Sequence, residues 1–268
     1  MGIFILILLC VILFLYNTKK SNKSKKKLHQ KPYLKQTNQP TYTPKLSHKE
    51  CQKPFKLYPE LYFNKLNIMT KKARKEHKNF TVFDLETTGL SPITDSIIEI
   101  GAVKISDGQI IDSFSTLVNP GHYIPAAATK ANGITDDMVK DAPKICDVLP
   151  AFLQFVGNDV LVGHNAYSFD IKFLLVAAYD NGIEIKNPVV DTLPLCRKLY
   201  PEFKDHKLGT IAKELCIEMD NAHRSLCDAT ATAQIFLKCI DKINKLDEIK
   251  AQERKMAKEA SNKAAAGK

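Results

Sequence analysis

The sequence lacks the cysteine pairs on which zinc knuckles and disulfide frameworks are built. Its seven cysteines are scattered and odd in number, and no two of them form a C-x-x-C pair. Neither a structural zinc site nor a disulfide-stapled fold is therefore predicted. Cys216 and Cys239 lie within apolar helical patterns, which is typical of small core residues. Reduced cysteines of this kind agree with a cytoplasmic domain.

Acidic residues are scarce in one long stretch near the beginning of the chain. Residues 17–78 contain 18 Lys and Arg but only 3 Asp and Glu, so a chain with a net charge of +10 has a net charge of −5 outside them. Ile, Val and Leu are also few there, and such a segment cannot bury enough apolar area to offset the entropy of ordering. We expect a basic, largely disordered linker at 17–78. Its part 55–78 has two interpretations, a nucleic-acid contact with stacking aromatics or a partly ordered segment that packs on the domain edge.

Charge is absent from the first sixteen residues, which are almost entirely Ile, Leu, Val and Phe. As a helix, residues 1–16 would span about 24 Å, slightly less than a hydrocarbon core of about 30 Å. The alternative is a signal peptide, but no basic residue precedes the run and no small-residue cleavage site follows it. Lysines follow instead, and positive flanks stay on the cytoplasmic side. The sequence predicts a transmembrane anchor at 1–16, a cytoplasmic catalytic domain, and a linker that contacts anionic lipid, gathers nucleic acid or serves as a solvated spacer.

From residue 79 onward, apolar strands and amphipathic helices replace the basic pattern. Strands are predicted at 80–85, 97–104, 109–118, 159–162 and 188–191. Helices are predicted at 136–157, 171–181, 193–199, 208–215 and 225–243. This order predicts an α/β fold in which helices flank a mixed central sheet. The domain is placed at 79–243, and residues 244–268 are expected to be a charged tail, helical or disordered.

Two acids at the end of the first predicted strand are the first sign of chemistry. Asp84 and Glu86 are two residues apart, so both carboxylates leave the same face of the strand, roughly 7 Å apart along the backbone. Such a pair on an apolar strand is costly unless a cation lies between the acids. Oxygen ligands select a hard ion such as Mg²⁺ or Mn²⁺. Alone, the pair also fits a solvated strand end.

A third carboxylate and a His–Asp pair follow later in the chain. Asp170 ends the stretch that begins at His164 and lies at a predicted helix start, where an aspartate can also be a simple cap. His223 precedes Asp228 by five residues, which places the aspartate on the last helix and the histidine on the loop before it. Alone, His223 also fits a surface loop residue. His206 is a rival base, but its charged neighbours favour an exposed turn residue.

Together these stretches resemble the DEDD superfamily of 3′–5′ exonucleases, in the histidine-containing, DnaQ-like branch that includes proofreading subunits. The likeness covers about residues 79–243 and extends to the stretches 97–103, 133–136 and 190–192. It implies a ribonuclease H-like fold. It also implies an enzyme that hydrolyses nucleic acid from the 3′ end to nucleoside 5′-monophosphates. The motifs do not decide between DNA and RNA, and DNA is the substrate that we expect.

The resemblance also implies a role for each site residue. Two Mg²⁺ or Mn²⁺ ions would be held by four carboxylates, those of Asp84, Glu86, Asp170 and Asp228. His223 would take a proton from the attacking water, because imidazole exchanges protons near neutral pH. The 3′ end of the nucleic acid would be contacted or supported by Thr87, Thr88, Leu90 and Asn165.

Two departures and two other functions accompany this prediction. Asn132 stands where many relatives have His, which puts a substrate contact in doubt, and the stretch from His164 to Asp170 is one residue longer than the commonest spacing. The alternative functions are a non-catalytic module that binds nucleic-acid ends and an RNA-directed exoribonuclease. No carboxylate or base is missing, which favours the active enzyme.

Overall fold

The computed structural model of the chain describes residues 62–219 and 223–266, which fall within one compact unit. The predicted anchor at 1–16 and the linker up to residue 61 lie outside the described residues. Within the ranges described, no helix combines the length and the apolar character needed to cross a membrane.

A five-stranded mixed sheet forms the centre of the fold. Its strands are β1 (Asn79–Thr87), β2 (Ile97–Ser106), β3 (Gln109–Leu117), β4 (Val160–Gly163) and β5 (Val189–Asp191), in the order β3-β2-β1-β4-β5. The first three strands form an antiparallel meander, and β4 and β5 run parallel to β1. Because the carboxyl ends of parallel strands meet at one edge of a sheet, residues after β1, β4 and β5 come together there.

The described residues form eight helices around this sheet. They are α1 (Lys71–Glu76), α2 (Ala126–Asn132), α3 (Asp136–Val139), α4 (Ile145–Val156), α5 (Asp170–Asp180), α6 (Thr192–Leu199), α7 (Leu208–Glu214) and α8 (Ser225–Ala266). One apolar core lies between the sheet and α6, α7 and α8, and a second lies between the sheet and α4 and α5. The predicted mixed sheet with flanking helices is confirmed.

Two short helices and one break differ from the sequence prediction. The helix expected over 136–157 is two helices, α3 and α4, separated by residues 140–144. Pro143 lies in the break, and a proline disfavours helical geometry in the residue before it. The sequence analysis did not predict α1 or α2, because helices of six and seven residues are too short to show an apolar period.

The folded part begins before residue 79. Lys65 pairs in parallel with Val189 at the edge of β5, and the ring of Phe63 lies 5.3 Å from the ring of Tyr167. Ile68 is 2% exposed and belongs to the core under α8. The prediction of a largely disordered linker is therefore wrong for residues 62–78, since apolar side chains within this basic stretch pack on the domain edge.

The last helix continues well past the predicted domain end at 243. The buried guanidinium of Arg74 donates to the side chains of Asn244 and Asp247 and to the carbonyls of Ile68 and Met69. This contact ties the beginning of the α8 extension to the N-terminal segment. Of the two states expected for the tail, the structure has the helical one up to residue 266, and the side chains of 248–263 are exposed.

Candidate active site

The two acids of β1 continue a row of core residues. Successive side chains of a strand alternate between faces, so Asp84 and Glu86 lie on the same face as Phe80 and Val82, which pack in the core beneath α8. The ring of Phe80 contacts Phe236 of that helix with 4.9 Å between centroids. The burial that seats α8 on β1 therefore also brings the first turn of α8 over the two carboxylates.

Asp228 is the residue that this first turn supplies. Among the described residues, one carboxylate oxygen each from Asp84, Glu86 and Asp228 lie within 4.8 Å of one another. Asp228 Oδ2 accepts the backbone N–H of His223 at 3.2 Å. Asp228 Oδ1 is buried and has no hydrogen-bond partner in the part of the chain that the structure describes. A buried carboxylate oxygen without a donor is costly, and a cation held by the three carboxylates would satisfy it.

Asp170 adds a fourth carboxylate beside these three. It is the first residue of α5, it is 4% exposed, and its Oδ1 accepts the backbone N–H of Leu85 at 3.2 Å. This bond fixes the carboxylate of Asp170 against β1 at Leu85, the residue between Asp84 and Glu86. The four predicted metal ligands therefore meet at one edge of the sheet, three of them around a common point and Asp170 next to it.

Burial raises the pKa of all four carboxyl groups. The pKa of Asp84 stands well above its usual range because of burial and then of the charges of Asp170 and Glu86. Burial also raises the pKa of Glu86 and of Asp170 to about 7 each. For Asp228 burial raises the pKa, while the N–H and the imidazole of His223 oppose this. Four acids that resist ionisation together fit a hard cation, which would stabilise their charged forms.

His223 lies on the turn that leads into α8, next to the carboxylate cluster. Its side chain is exposed, and its backbone has a φ of 68°, in the left-handed region that non-glycine residues rarely adopt. The hydrogen bond from its N–H to Asp228 holds it in this conformation. The predicted base is therefore adjacent to the predicted ligands and open to solvent, where a water molecule can reach it.

The turn after β1 carries three of the residues predicted to meet the substrate. Thr87 and Thr88 are buried, and the Thr88 N–H and hydroxyl bond the backbone of Ser96 at 2.9 Å each. Leu90 is 84% exposed on this closed turn. A leucine held in water beside a carboxylate cluster offers an apolar surface on which a base can pack. The fourth residue, Asn165, is exposed on the loop after β4 with a φ of 62°.

Asp191 shapes that loop and was not among the predicted site residues. Its buried carboxylate accepts the N–H groups of Asn165, Tyr167 and Leu193 at 2.8–3.0 Å. Because the loop runs directly into Asp170, these bonds help to place the fourth carboxylate. The sequence signal was its position at the end of a predicted strand, next to the β4 edge.

His164 and His206 have structural contacts. The His164 ring bonds the hydroxyl of Thr192 at 2.9 Å and the carbonyl of His206 at 3.0 Å, and burial lowers its pKa. The His206 ring bonds the carbonyl of Tyr200 at 3.0 Å and is partly buried. The expectation that His206 is an exposed turn residue is wrong, because this loop folds back onto His164.

Asn132 reaches the site even though it departs from the common pattern. It is 5% exposed, its side chain bonds the carbonyl of Thr87 at 3.4 Å, and it accepts the N–H of Ile134 at 3.0 Å. Burial raises the pKa of Glu86, and the side-chain hydrogen bond from Asn132 is among the contacts that oppose this. Asn132 therefore contacts the end of β1 next to Glu86 rather than standing apart from the site.

The fold and the site together define a class, the ribonuclease H-like nucleases. The structure overlaps exonuclease I of E. coli bound to a dA16 oligonucleotide with a TM-score of 0.55 over 62% of this chain and 42% of that chain. At 20% identity, this overlap shows the fold alone. Exonuclease X in complex with 5′ overhanging duplex DNA matches at 30% identity with a TM-score of 0.51, covering 60% of this chain and 91% of that chain.

Residues 81–236 match the model of the RNase_T exonuclease family, and the chain belongs to this family. The resemblance to DEDD exonucleases is thereby confirmed. PolC-type DNA polymerase III of Clostridium perfringens is 53% identical over 157 residues, and that of Bacillus subtilis is 49% identical over 168 residues. These matches cover 59% and 62% of this chain but only 11% and 12% of the polymerases. The chain thus corresponds to a small part of these relatives.

Proposed function

We propose that this chain is a metal-dependent exonuclease that hydrolyses DNA from the 3′ end and releases nucleoside 5′-monophosphates. The observation that carries the proposal is the cluster of Asp84, Glu86 and Asp228, with one buried oxygen of Asp228 that no described residue bonds and with His223 beside it. Membership of an exonuclease family supports the reaction type.

Each residue of the site has a task in this reaction. Asp84, Glu86, Asp170 and Asp228 would hold two divalent ions. Bound Mg²⁺ or Mn²⁺ lowers the pKa of a water molecule and stabilises charge on the leaving 3′ oxygen. His223 accepts the proton of that water at a ring nitrogen, for which its exposed position is suitable.

The turn after β1 and the loop after β4 position the end of the strand. Leu90 packs on the terminal base, the backbone at Thr87 and Thr88 meets the terminal 3′-hydroxyl together with Glu86, and Asn165 supports the site from the opposite loop. These contacts read the end of a chain and not its sequence, as an exonuclease requires.

DNA is proposed as the substrate because the relatives point to it. The similar polymerases are named as DNA polymerases, and the similar exonuclease structures contain duplex DNA or a DNA oligonucleotide. The chain spans about a ninth of the length of those polymerases, and the proposal therefore takes from them the DNA substrate alone.

A panel of single- and double-stranded DNA and RNA oligonucleotides tests this function. With Mg²⁺ or Mn²⁺, a 3′ label should be released as a mononucleotide before a 5′ label, and DNA should be degraded faster than RNA. Asp84→Asn should abolish release and His223→Ala should leave only a slow residual rate, whereas the matched controls Asp112→Asn, an exposed aspartate of β3, and His77→Ala, at the end of α1, should have little effect. Intact substrate bound by the chain would indicate a binding module, and faster RNA degradation an exoribonuclease.

We also propose that residues 1–16 anchor the chain in a membrane with the domain on the cytoplasmic side. The uncharged run and the lysines after it support this, and the basic linker at 17–61 would then lie close to anionic lipid. The full chain should stay in the membrane fraction at alkaline pH and leave it only with detergent. Recovery of the full chain in the aqueous fraction would contradict the anchor.

A further inference from the structure

An ion pair between the buried carboxylate of Glu99 and the partly exposed guanidinium of Arg224 joins β2 to the start of α8 beside the carboxylate cluster. Glu99 is 2% exposed and lies opposite Glu86 in the β1–β2 register. Its carboxylate accepts Arg224 Nε at 3.1 and 3.2 Å and Arg224 Nη2 at 2.6 Å. It also accepts the backbone N–H of Ser225, the first residue of α8, at 3.0 Å. One carboxylate therefore takes four contacts from two consecutive residues.

The backbone at this point is pressed directly onto β2. Gly101 lies two residues after Glu99 on the same face, and a Cβ built on it would collide with the backbone of Ser225 and Leu226. The absent side chain of Gly101 and the carboxylate of Glu99 together set both the distance and the rotation of the first turn of α8 over the sheet.

His223 depends on this seating, because it directly precedes Arg224. Its left-handed backbone conformation is strained and persists only when its surroundings hold it. Two contacts hold the backbone at this point. The N–H of His223 donates to Asp228, and the next residue, Arg224, forms the ion pair with Glu99. The guanidinium fork has one geometry in which both nitrogens meet the carboxylate, so it also fixes the direction of the chain at His223.

The charge of the pair matters as well as its geometry. Burial is the main cause that raises the pKa values of Asp84, Glu86 and Asp228, and the charge of Glu99 is among the smaller causes that raise each of them. An unpaired fifth carboxylate here would repel the ligands and compete for the cation. Arg224 neutralises Glu99 and directs it towards the helix, which leaves the metal to the other acids.

We propose that Glu99 and Arg224 are positioning residues of the reaction, which hold His223 in register with the Asp84–Glu86–Asp228 cluster. This inference rests on the proposed exonuclease function. The pair touches neither water nor substrate in this scheme and acts through the histidine. Buried ion pairs contribute little net stability compared with apolar packing, so its main effect is expected in kcat.

Three variants separate positioning from a merely structural role. Arg224→Lys keeps the charge but loses the fork, Glu99→Gln keeps the shape but loses the charge, and the double variant Glu99→Gln/Arg224→Gln removes both charges. Each should lower kcat for release of a 3′-terminal nucleotide about 10- to 100-fold, with KM within about 2-fold. The double variant should recover the Tm lost by Glu99→Gln alone but not its kcat.

Asp159→Asn is the matched control. Asp159 pairs with Lys104 at 3.3 Å on the same strand β2, five residues from Glu99 and towards the opposite end of the strand. Losing this pair, which is also partly buried, should lower Tm without changing kcat. In a His223→Ala background, Glu99→Gln should add less than about 3-fold to the loss, because the residue through which it acts is gone.

The outcomes separate this inference from the proposed function. No release by the unaltered chain overturns both. If the unaltered chain releases nucleotides, two results overturn the positioning role alone. In the first, the double variant recovers kcat as well as Tm. In the second, Glu99→Gln lowers kcat as much in the His223→Ala background as in the unaltered chain.

Discussion

Replacing one of the metal ligands should make the metal-free protein more stable while it destroys the site. Burial, followed by the charges of Asp228 and Glu99, raises the pKa of Glu86 from 4.5 to about 7. An ionised Glu86 is therefore a cost to the folded state whenever no cation is bound. Glu86→Gln removes this charge, keeps the shape of the side chain, and leaves an oxygen to accept from Asn132.

The size of the gain follows from the shift. One pKa unit corresponds to 1.36 kcal/mol, so a rise from 4.5 to about 7 costs about 3 kcal/mol at pH 8. Because solvent reaches part of this side chain, about 2 kcal/mol is the expected gain for Glu86→Gln. Below pH 4.5 the carboxyl is protonated in both the folded and the unfolded chain, and the cost is absent. It grows as the pH rises towards 7 and is constant above that.

Urea denaturation in EDTA measures this gain. Glu86→Gln should raise the unfolding free energy at pH 8 and leave it nearly unchanged at pH 4, whereas saturating Mn²⁺ should stabilise the unaltered chain and not the variant. Glu214→Gln, at an exposed site on α7, changes net charge equally and should have little effect at either pH. A loss of stability for Glu86→Gln in EDTA at pH 8 would refute the view that an ionised Glu86 destabilises the folded chain when no cation is bound.

Three other changes test separate parts of the structure. Mn²⁺ affinity measured by calorimetry should rise between about pH 6 and 8 and then level off, because Glu86 and its buried neighbours must lose protons to bind; affinity independent of pH would contradict this. Gly101→Ala should unseat α8 and abolish both cooperative unfolding and activity, whereas Gly209→Ala, whose Cβ would meet no described atom within 4 Å, should do neither. Arg74→Gln should make residues 62–76 sensitive to limited proteolysis at unchanged kcat. Unchanged cleavage would show that the contacts of Arg74 with α8 are not needed to hold this segment.

The residues of the candidate site could be named from the sequence because the three stretches together resemble the DEDD exonucleases, and the local pattern of each stretch is compatible with that role. Two acids spaced by two on a strand must share a face, and a histidine five residues before an aspartate must lie on the loop if the aspartate lies on the helix. These are statements about the geometry of one element. They required no knowledge of what packs against it, and the structure brings Asp84, Glu86, Asp170, His223 and Asp228 to one edge of the sheet.

Contacts between distant parts of the chain could not be predicted in the same way. Glu99 lies within an otherwise apolar strand. Its partner Arg224 is 125 residues away in the sequence, and only the tertiary structure brings the two together. Residues 62–78 looked disordered because their charge is high, yet Ile68 and Arg74 find partners on β5 and α8. Long-range partners offset the entropy of ordering, and a local pattern contains no information about them.

What the amino-acid sequence determined by itself was the set of candidate site residues, because the three stretches that carry them together resemble the DEDD exonucleases. What only the tertiary structure decided was their state. Burial under α8 raises the pKa of the four carboxyl groups, the close approach at Gly101 sets the helix over them, and the Glu99–Arg224 pair sets the chain direction at the histidine. Desolvation and long-range packing exist only once the chain has closed on itself.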